Sequence, residues 1–533
     1  MRKNILSLSI AAMIGGLGFA GSASANVVAT TTAPIADTLV LNAGGVGHAL
    51  ITPYFTAQAD NATVISLVNT DTANGKAVKV RFRGAVNSDD ILDFQVYMSP
   101  ADHWSAVVTK NAAGVAQLVT QDATCTIPQM TKGTAYPFLT GRLPSYLSAT
   151  DLGNNTLEGY IEIFNMADIV PNTVTTSLFA SIKHTAGVPR NCSSDAGAPL
   201  NATLTDSVGA VLAGTTFPTT GLMGNWTIIN VAKTTTFSGS MTAIRATVAA
   251  TGADATGNYV LFPQSDTAAS TSGDVDLVTA DPLFRLTNAV TTKTSTNAST
   301  NVVTARAITA AFYDLPDMST PYLAANVGVP TTQASNLTSS LATTAISNEF
   351  TTDATLTATT DWVFSMPTRR YSVAVKYGSS ATGATRLYTQ NVTSGLSANA
   401  QFFSDTNTTL VNGDKLCVSA NSQKFWDREE QTTSSGAVFS PGSIASFRFC
   451  GETSVTTFGA SSPLGAAAGI PQTASAGFVN GWGNVQTPNT VGATNIGLPI
   501  LGSAFIKLNN AAAAAGTSGT YGITSDHRFS LAR

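Results

Sequence analysis

The stretch GKAVKVRFRG, residues 75–84, constrains the fold most. Val78, Val80 and Phe82 alternate with Lys79, Arg81 and Arg83, the period of a half-buried strand with one face on a core and the other in solvent. ATVISLVNT precedes it, and the connecting NTDTANG carries Asn74-Gly75, a pair suited to the positive φ of a tight hairpin. Downstream, ILDFQVYMSP places Leu92, Phe94, Val96 and Met98 on one side, and HWSAVVT begins another strand, so a β-meander is predicted. The alternation returns in EGYIEIFN and in RRYSVAVKY, where Tyr371, Val373, Val375 and Tyr377 share a face. Turn residues interrupt the chain too often for a long amphipathic helix. The expected class is all-β: two or more β-sandwich (Ig-like) domains with little helix.

A chain of 533 residues exceeds one ordinary core, and 43% hydrophobic content suffices to fill two or three. The expected organisation is a signal peptide at 1–25, an N-terminal β-sandwich at 26–200, a second β-rich domain at 201–455 and a Gly/Ala-rich C-terminal region at 456–533. A Thr/Ser-rich insertion near 265–309 contains TTKTSTNASTN. The leader assignment rests on Arg2 and Lys3, the apolar run from Ile5 to Ala20, and small residues at Ala23 and Ala25. It directs the chain out of the cell, to the extracellular space or outer surface, and no transmembrane span is expected in the mature chain. A net charge of −4 offers no basic excess for nucleic acid.

Export makes four cysteines a disulfide framework. Sequence order favours Cys125 with Cys192 and Cys417 with Cys450, closing loops of 67 and 33 positions. Each closure stabilises by about 4 kcal/mol on the chain-entropy account. Zinc is disfavoured, because no Cys-x-x-Cys occurs and the histidines stand apart at 48, 103, 184 and 527.

The usual chemical signatures are missing: no Gly-x-Ser-x-Gly elbow, His-Glu-x-x-His, P-loop or dinucleotide fingerprint. No catalytic residue and no cofactor is therefore expected. NSDDILD, with Asp89 and Asp90, and SGDVDLVTAD, with Asp274 and Asp276, are the candidates for Ca²⁺, although neither has EF-hand spacing.

The densest charge is KFWDREEQ, Lys424 to Gln431. On a strand Asp427 and Glu429 would share a face, roughly 7 Å apart. An inverting glycosidase needs its carboxylates on opposite sides of the scissile bond, which neighbours on one strand do not provide. The expected role is structural: Asp427, Glu429 or Glu430 pairs with Arg369 and Arg370 across a ladder, with Trp362 and Trp426 packed nearby.

ITPYFTAQADNATVISLVNTDTANGKAVKVRFRGAVNSDD, LEGYIEIFNMADI, PTTGLMGNWTIINV, TDWVFSMPTRRY, KFWDREEQ and GTYGITSDHRF, in that order, resemble a family of exported cell-surface, surface-layer-like proteins of Gram-negative bacteria. The resemblance implies a surface or surface-layer role and brings no catalytic residues with it. The expectation is a self-associating structural subunit of a surface layer or filament, with another cell-envelope component as a further partner. The alternatives are an adhesin or pilus-like binding protein and, third, a carbohydrate-active enzyme. An outer-membrane barrel is disfavoured by the cysteine pairs and the C-terminal Arg533.

Overall fold

The computed structural model is all-β, with 50% of residues in strands and 8% in helix. It describes residues 26–141, 143–193, 214–261, 322–323, 330–388, 402–403, 407–432, 438–440, 447–467, 469–475, 477–487, 490–491, 494–510, 512–514 and 519–531. The leader, the Thr/Ser-rich insertion, Asp274 and Asp276 lie outside the described residues.

The N-terminal sandwich has one sheet in the order Cys125–Ile127, Asp90–Met98, Gly75–Gly84, Glu158–Ile169, Ala49–Thr56, Thr242–Thr247, Thr38–Asn42. The facing sheet runs Ala135–Pro137, Ala116–Thr120, His103–Lys110, Ala62–Asn69, Leu222–Asn230, Thr235–Ser240. Val78, Val80, Phe82 and Phe94 meet Ile65, Leu67, Trp104, Val108 and Trp226 in the core between them.

This pairing differs from the expected meander. Ala62–Asn69 and Gly75–Gly84 do not form a hairpin; they belong to opposite sheets, and residues 70–74 arch between them. Asp71 organises the arch, its Oδ1 accepting from the Ala73 and Asn74 amides. Gly75–Gly84 pairs with Asp90–Met98 as expected, but His103–Lys110 crosses back to pair with Ala62–Asn69. Alternation identifies a strand and its two faces without identifying its partner.

The second sandwich opposes Ser422–Trp426, Asn480–Gln486 and Ala342–Thr351 to a sheet ordered Val438–Ser440, Gln472–Ser475, Thr453–Phe458, Thr359–Ser365, Leu501–Asn509, Thr520–Asp526. Phe350, Phe425 and Val485 meet Trp362, Phe364, Phe458 and Ala504. The sheets run past the limits expected at 200 and 455: strands within 222–247 complete the N-terminal sheets, and strands within 453–531 are integral to the second. Such non-local partners leave no mark in local composition.

The larger sheet of the second sandwich is covered on both faces. Trp362 and Phe364 point into its own core, whereas Val363, Val455 and Phe505 join the N-terminal core. The Phe505 ring lies 6.1 Å from Tyr54, 5.8 Å from Trp226 and 5.4 Å from Phe237. The two sandwiches thus share buried aromatic area along a seam, and burial of that size resists separation.

Helix is scarce but one 12-residue helix, Pro330–Leu341, escaped the sequence reading. Leu337 and Leu341 sit one turn apart on it and are buried with Tyr160, Tyr371 and Leu501. Both expected disulfides are formed, and Cys417 opposes Cys450 directly in the strand register.

Candidate functional site

Charge concentrates at the seam. The polar face of Gly75–Gly84, expected in solvent, is buried: Lys79 and Arg81 are 0% exposed and Arg83 1%. Its side chains are accommodated by partners on neighbouring strands. Lys76 Nζ donates to Asp168 Oδ1 at 2.7 Å, Lys79 pairs with Asp93, and Arg83 Nε donates to Glu162 Oε2 at 3.1 Å. Tyr371, from the second half of the chain, donates its hydroxyl to Glu162 Oε1 at 2.5 Å. Burial lowers the Lys79 ammonium despite the opposing pull of Asp93, and raises Asp168 against the pull of Lys76.

Arg369 and Arg370 lie in the same seam, on a 3-10 turn. Arg369 Nε donates to Glu452 Oε2 at 2.6 Å, the Arg370 amide donates to Glu452 Oε1 at 2.9 Å, and the Arg370 guanidinium reaches the Ser88 carbonyl. This corrects the expected pairing with KFWDREEQ. The strand there ends at Trp426, and the acids that follow occupy a turn in which Asp427 Oδ1 accepts from the amides of Glu429 and Gln431. Glu429 and Glu430 are exposed, so the two arginines and these acids occupy different environments.

Two further carboxylates close the seam. Glu158 accepts from the Tyr54 hydroxyl at 2.5 Å and from the Ala467 amide at 2.9 Å. Asp361 accepts from Thr457 Oγ1 at 2.6 Å, Ser462 Oγ at 2.5 Å and the Leu464 amide at 3.1 Å. The loop at 462–467 therefore latches a carboxylate from each sandwich, and Asn61 fixes it again by donating to the Leu464 carbonyl at 2.7 Å. Burial, with a smaller contribution from Glu158, pushes Asp361 up to about 6. Burial and Glu158 raise the Tyr54 phenol well above its ordinary value.

Chemically, these groups hold one another. A general acid or nucleophile needs access to substrate, and Glu158, Glu162, Asp361 and Glu452 are each at most 2% exposed. Two of the four histidines are equally enclosed: His48 bridges the Ala246 amide and the Ala255 carbonyl, and His527 contacts Asn348 and the Val363 carbonyl, whereas His103 is exposed and the partly exposed His184 lies 3.2 Å from Ser99 Oγ and 3.7 Å from Asp102. Burial lowers His48 to about 4 and His527 to about 3.

Of the calcium candidates, Asp89 and Asp90 are among the described residues. Asp89 is buried and accepts from the Tyr377 hydroxyl at 2.6 Å, and Asp90 is buried opposite Arg83 in the strand register. Among the described residues no three His, Cys, Asp or Glu side chains gather as a metal site.

Sequence reasoning missed a surface feature. Trp426 does not pack on Trp362; it stacks on Trp482, with centroids 4.2 Å apart and planes inclined by 13°. The two oppose each other in register on the outer face of the smaller sheet, and Glu349 opposes Trp482 from the other side. Trp482 is 42% exposed. Beside it a cleft of ≈ 260 Å³ is lined by Glu349, Ser347, Asn348, Ser525, Asp526 and Arg528. The legible signal was GWG: Gly481 and Gly483 flank Trp482, and a Cβ on Gly483 would come within 2.5 Å of the Phe425 ring. A larger depression of ≈ 400 Å³ near Lys110, Asn111 and Thr150 has no acid, histidine or aromatic ring in its lining.

No family, no curated protein and no solved structure matched the chain.

Proposed function

We propose that the protein is an exported structural component of the Gram-negative cell surface that self-associates as a surface-layer or filament subunit. The observation that carries this reading is the seam: Glu162, Glu158, Asp89 and Asn61 of one sandwich and Arg370 of the other are committed to hydrogen bonds that join the two into one stiff unit. A subunit that repeats in an array needs fixed relative orientation of its faces, because any hinge blurs the angle between successive contacts. Two disulfides add to that stiffness, and the scarcity of charge lowers the desolvation cost of burying surface against a neighbouring copy. Among the described residues no helix is long and apolar enough to cross a membrane. The leader-like N-terminus and the resemblance to exported surface proteins supply the location.

Negative-stain imaging and sedimentation velocity on the oxidised protein lacking residues 1–25 test it. Ordered sheets or filaments that grow with concentration are expected. A strictly monomeric protein, with and without added calcium, overturns the assembly and favours the adhesin-like alternative, for which the exposed Trp426–Trp482 stack is the supporting observation.

A further inference from the structure

Three of the five tryptophans, Trp104, Trp226 and Trp362, are at most 1% exposed, as large apolar rings usually are in cores. The remaining two stack on the solvent face of a sheet, where threonine would satisfy strand geometry without exposing an indole. Stacking fixes both rings, so little side-chain freedom is left to lose on binding. Trp426 covers one side of Trp482, and on the other side lie Glu349 and the ≈ 260 Å³ cleft.

The cleft has a mixed rim. Glu349 and Asp526 present carboxylates and Arg528 a guanidinium, all exposed. Asp526 is steadied by Ser503 Oγ at 2.9 Å, and Arg528 Nη1 donates to the Asp526 carbonyl at 3.0 Å. Lys424, exposed and opposite Asn484, stands two register pairs from the tryptophans on the same face, so two acids are set against two cations around the site. That near-neutral balance gives no net pull on a phosphate or a polyamine. It suits a neutral ligand with a flat apolar face and a border of hydroxyls, which can donate to the carboxylates and accept from the guanidinium.

We propose that this face binds neutral hexopyranose units with equatorial hydroxyls, one ring lying on Trp482 and its hydroxyls bridging Glu349 and Arg528. In such a ring the axial C–H bonds form the apolar face that meets the indole, and the equatorial hydroxyls point sideways to the rim. Trp426 is a positioning residue that holds Trp482 upright. The site does not depend on whether copies of the chain associate.

Calorimetry and tryptophan fluorescence with cellohexaose and chitohexaose test the proposal on the oxidised protein. Saturable binding with Kd of about 1 mM or tighter is expected. Bound sugar should shield tryptophan emission from acrylamide, because the quenchable emission comes from Trp426 and Trp482. Trp482→Ala should weaken binding by about tenfold or more, and Glu349→Gln by a few fold with folding intact. Absence of saturable binding to either hexasaccharide overturns the site, as does unchanged affinity in both variants. Loss of self-association in Trp482→Ala, with no effect of sugar on the wild-type assembly, also overturns it in favour of a protein contact.

Discussion

Two sets of carboxylates invite comparison. Asp427, Glu429 and Glu430 crowd four consecutive positions, yet they ride a turn closed by Asp427, whose carboxylate accepts from backbone amides and whose own amide donates to the Gln431 carbonyl. Glu158, Glu162, Asp361 and Glu452 are scattered over nearly 300 positions and converge on the seam, each buried, Glu158 and Glu162 hydrogen-bonded to the other half of the chain and Asp361 and Glu452 to distant segments of their own. Density of charge along the sequence therefore says little about where charge matters. Energy follows burial, since an exposed carboxylate keeps its water whereas a buried one depends on the protein for every partner.

The comparison is broken most directly by removing one acid from each set. Glu452→Ala deprives the buried Arg369 guanidinium and the Arg370 amide of their acceptor, and should cost about 3–5 kcal/mol in urea unfolding. Glu452→Gln, which keeps an acceptor without the charge, should fall between that and wild type. Glu429→Ala, on the exposed turn, should stay within about 0.5 kcal/mol of wild type. Equal costs at positions 452 and 429 would mean that burial is not what separates the two sets.

The strands tell a parallel story about legibility. Gly75–Gly84 was readable as an alternating strand, whereas Asn480–Gln486, within the stretch expected as a Gly/Ala-rich region, was not read as a strand. Their second faces have opposite fates: Lys79, Arg81 and Arg83 are buried, whereas Trp482 looks outward. Local polarity placed Lys79, Arg81 and Arg83 in solvent and was silent on Trp482, because what covers a strand's second face is decided by segments far away in the chain, such as Tyr371 reaching Glu162. The disulfides were legible because order and compartment bear on them without any knowledge of the sheets. The Trp426–Trp482 stack was not, because it exists only once the register of two distant strands is known.

A finer test uses the pH dependence of the seam. Asp361 rises from about 3.8 to about 6 on folding, so its contribution to stability is complete below 3.8 and is lost as pH climbs through 6. His48 and His527 run the other way: their contributions are complete above 6.5 and are lost as pH falls toward about 4 and about 3. The wild-type acid profile is a partial cancellation between them. Asp361→Asn removes its own share of the compensating component, to which the raised Asp168 also contributes, so from pH 7 to pH 4 its stability should fall by about 2 kcal/mol more than that of wild type. Urea midpoints across this range measure the difference. Parallel profiles would show that Asp361 titrates as an ordinary carboxylate and that the latch at 462–467 does not desolvate it.

The smallest expected effect lies back on the exposed turn and carries the opposite sign. Glu430 adopts φ 64°, the left-handed region that costs a residue with a Cβ and suits glycine. Asp427 already supplies the hydrogen bonds that shape the turn, accepting from Glu429 and Gln431, so the Glu430 side chain is not needed to close it. Glu430→Gly should then relieve backbone strain at the expense of a more flexible unfolded chain, for a net gain of about 0.5 kcal/mol. In a chain of this size that is a rise in Tm of about 1 °C, within reach of scanning calorimetry on matched samples. A fall of several degrees would place Glu430 with the buried acids, as a carboxylate whose contacts the fold depends on, and would erase the distinction between the two sets at the position where it is sharpest. A small rise alongside the large loss at Glu452 would leave burial as the property that sorts the acids of this protein.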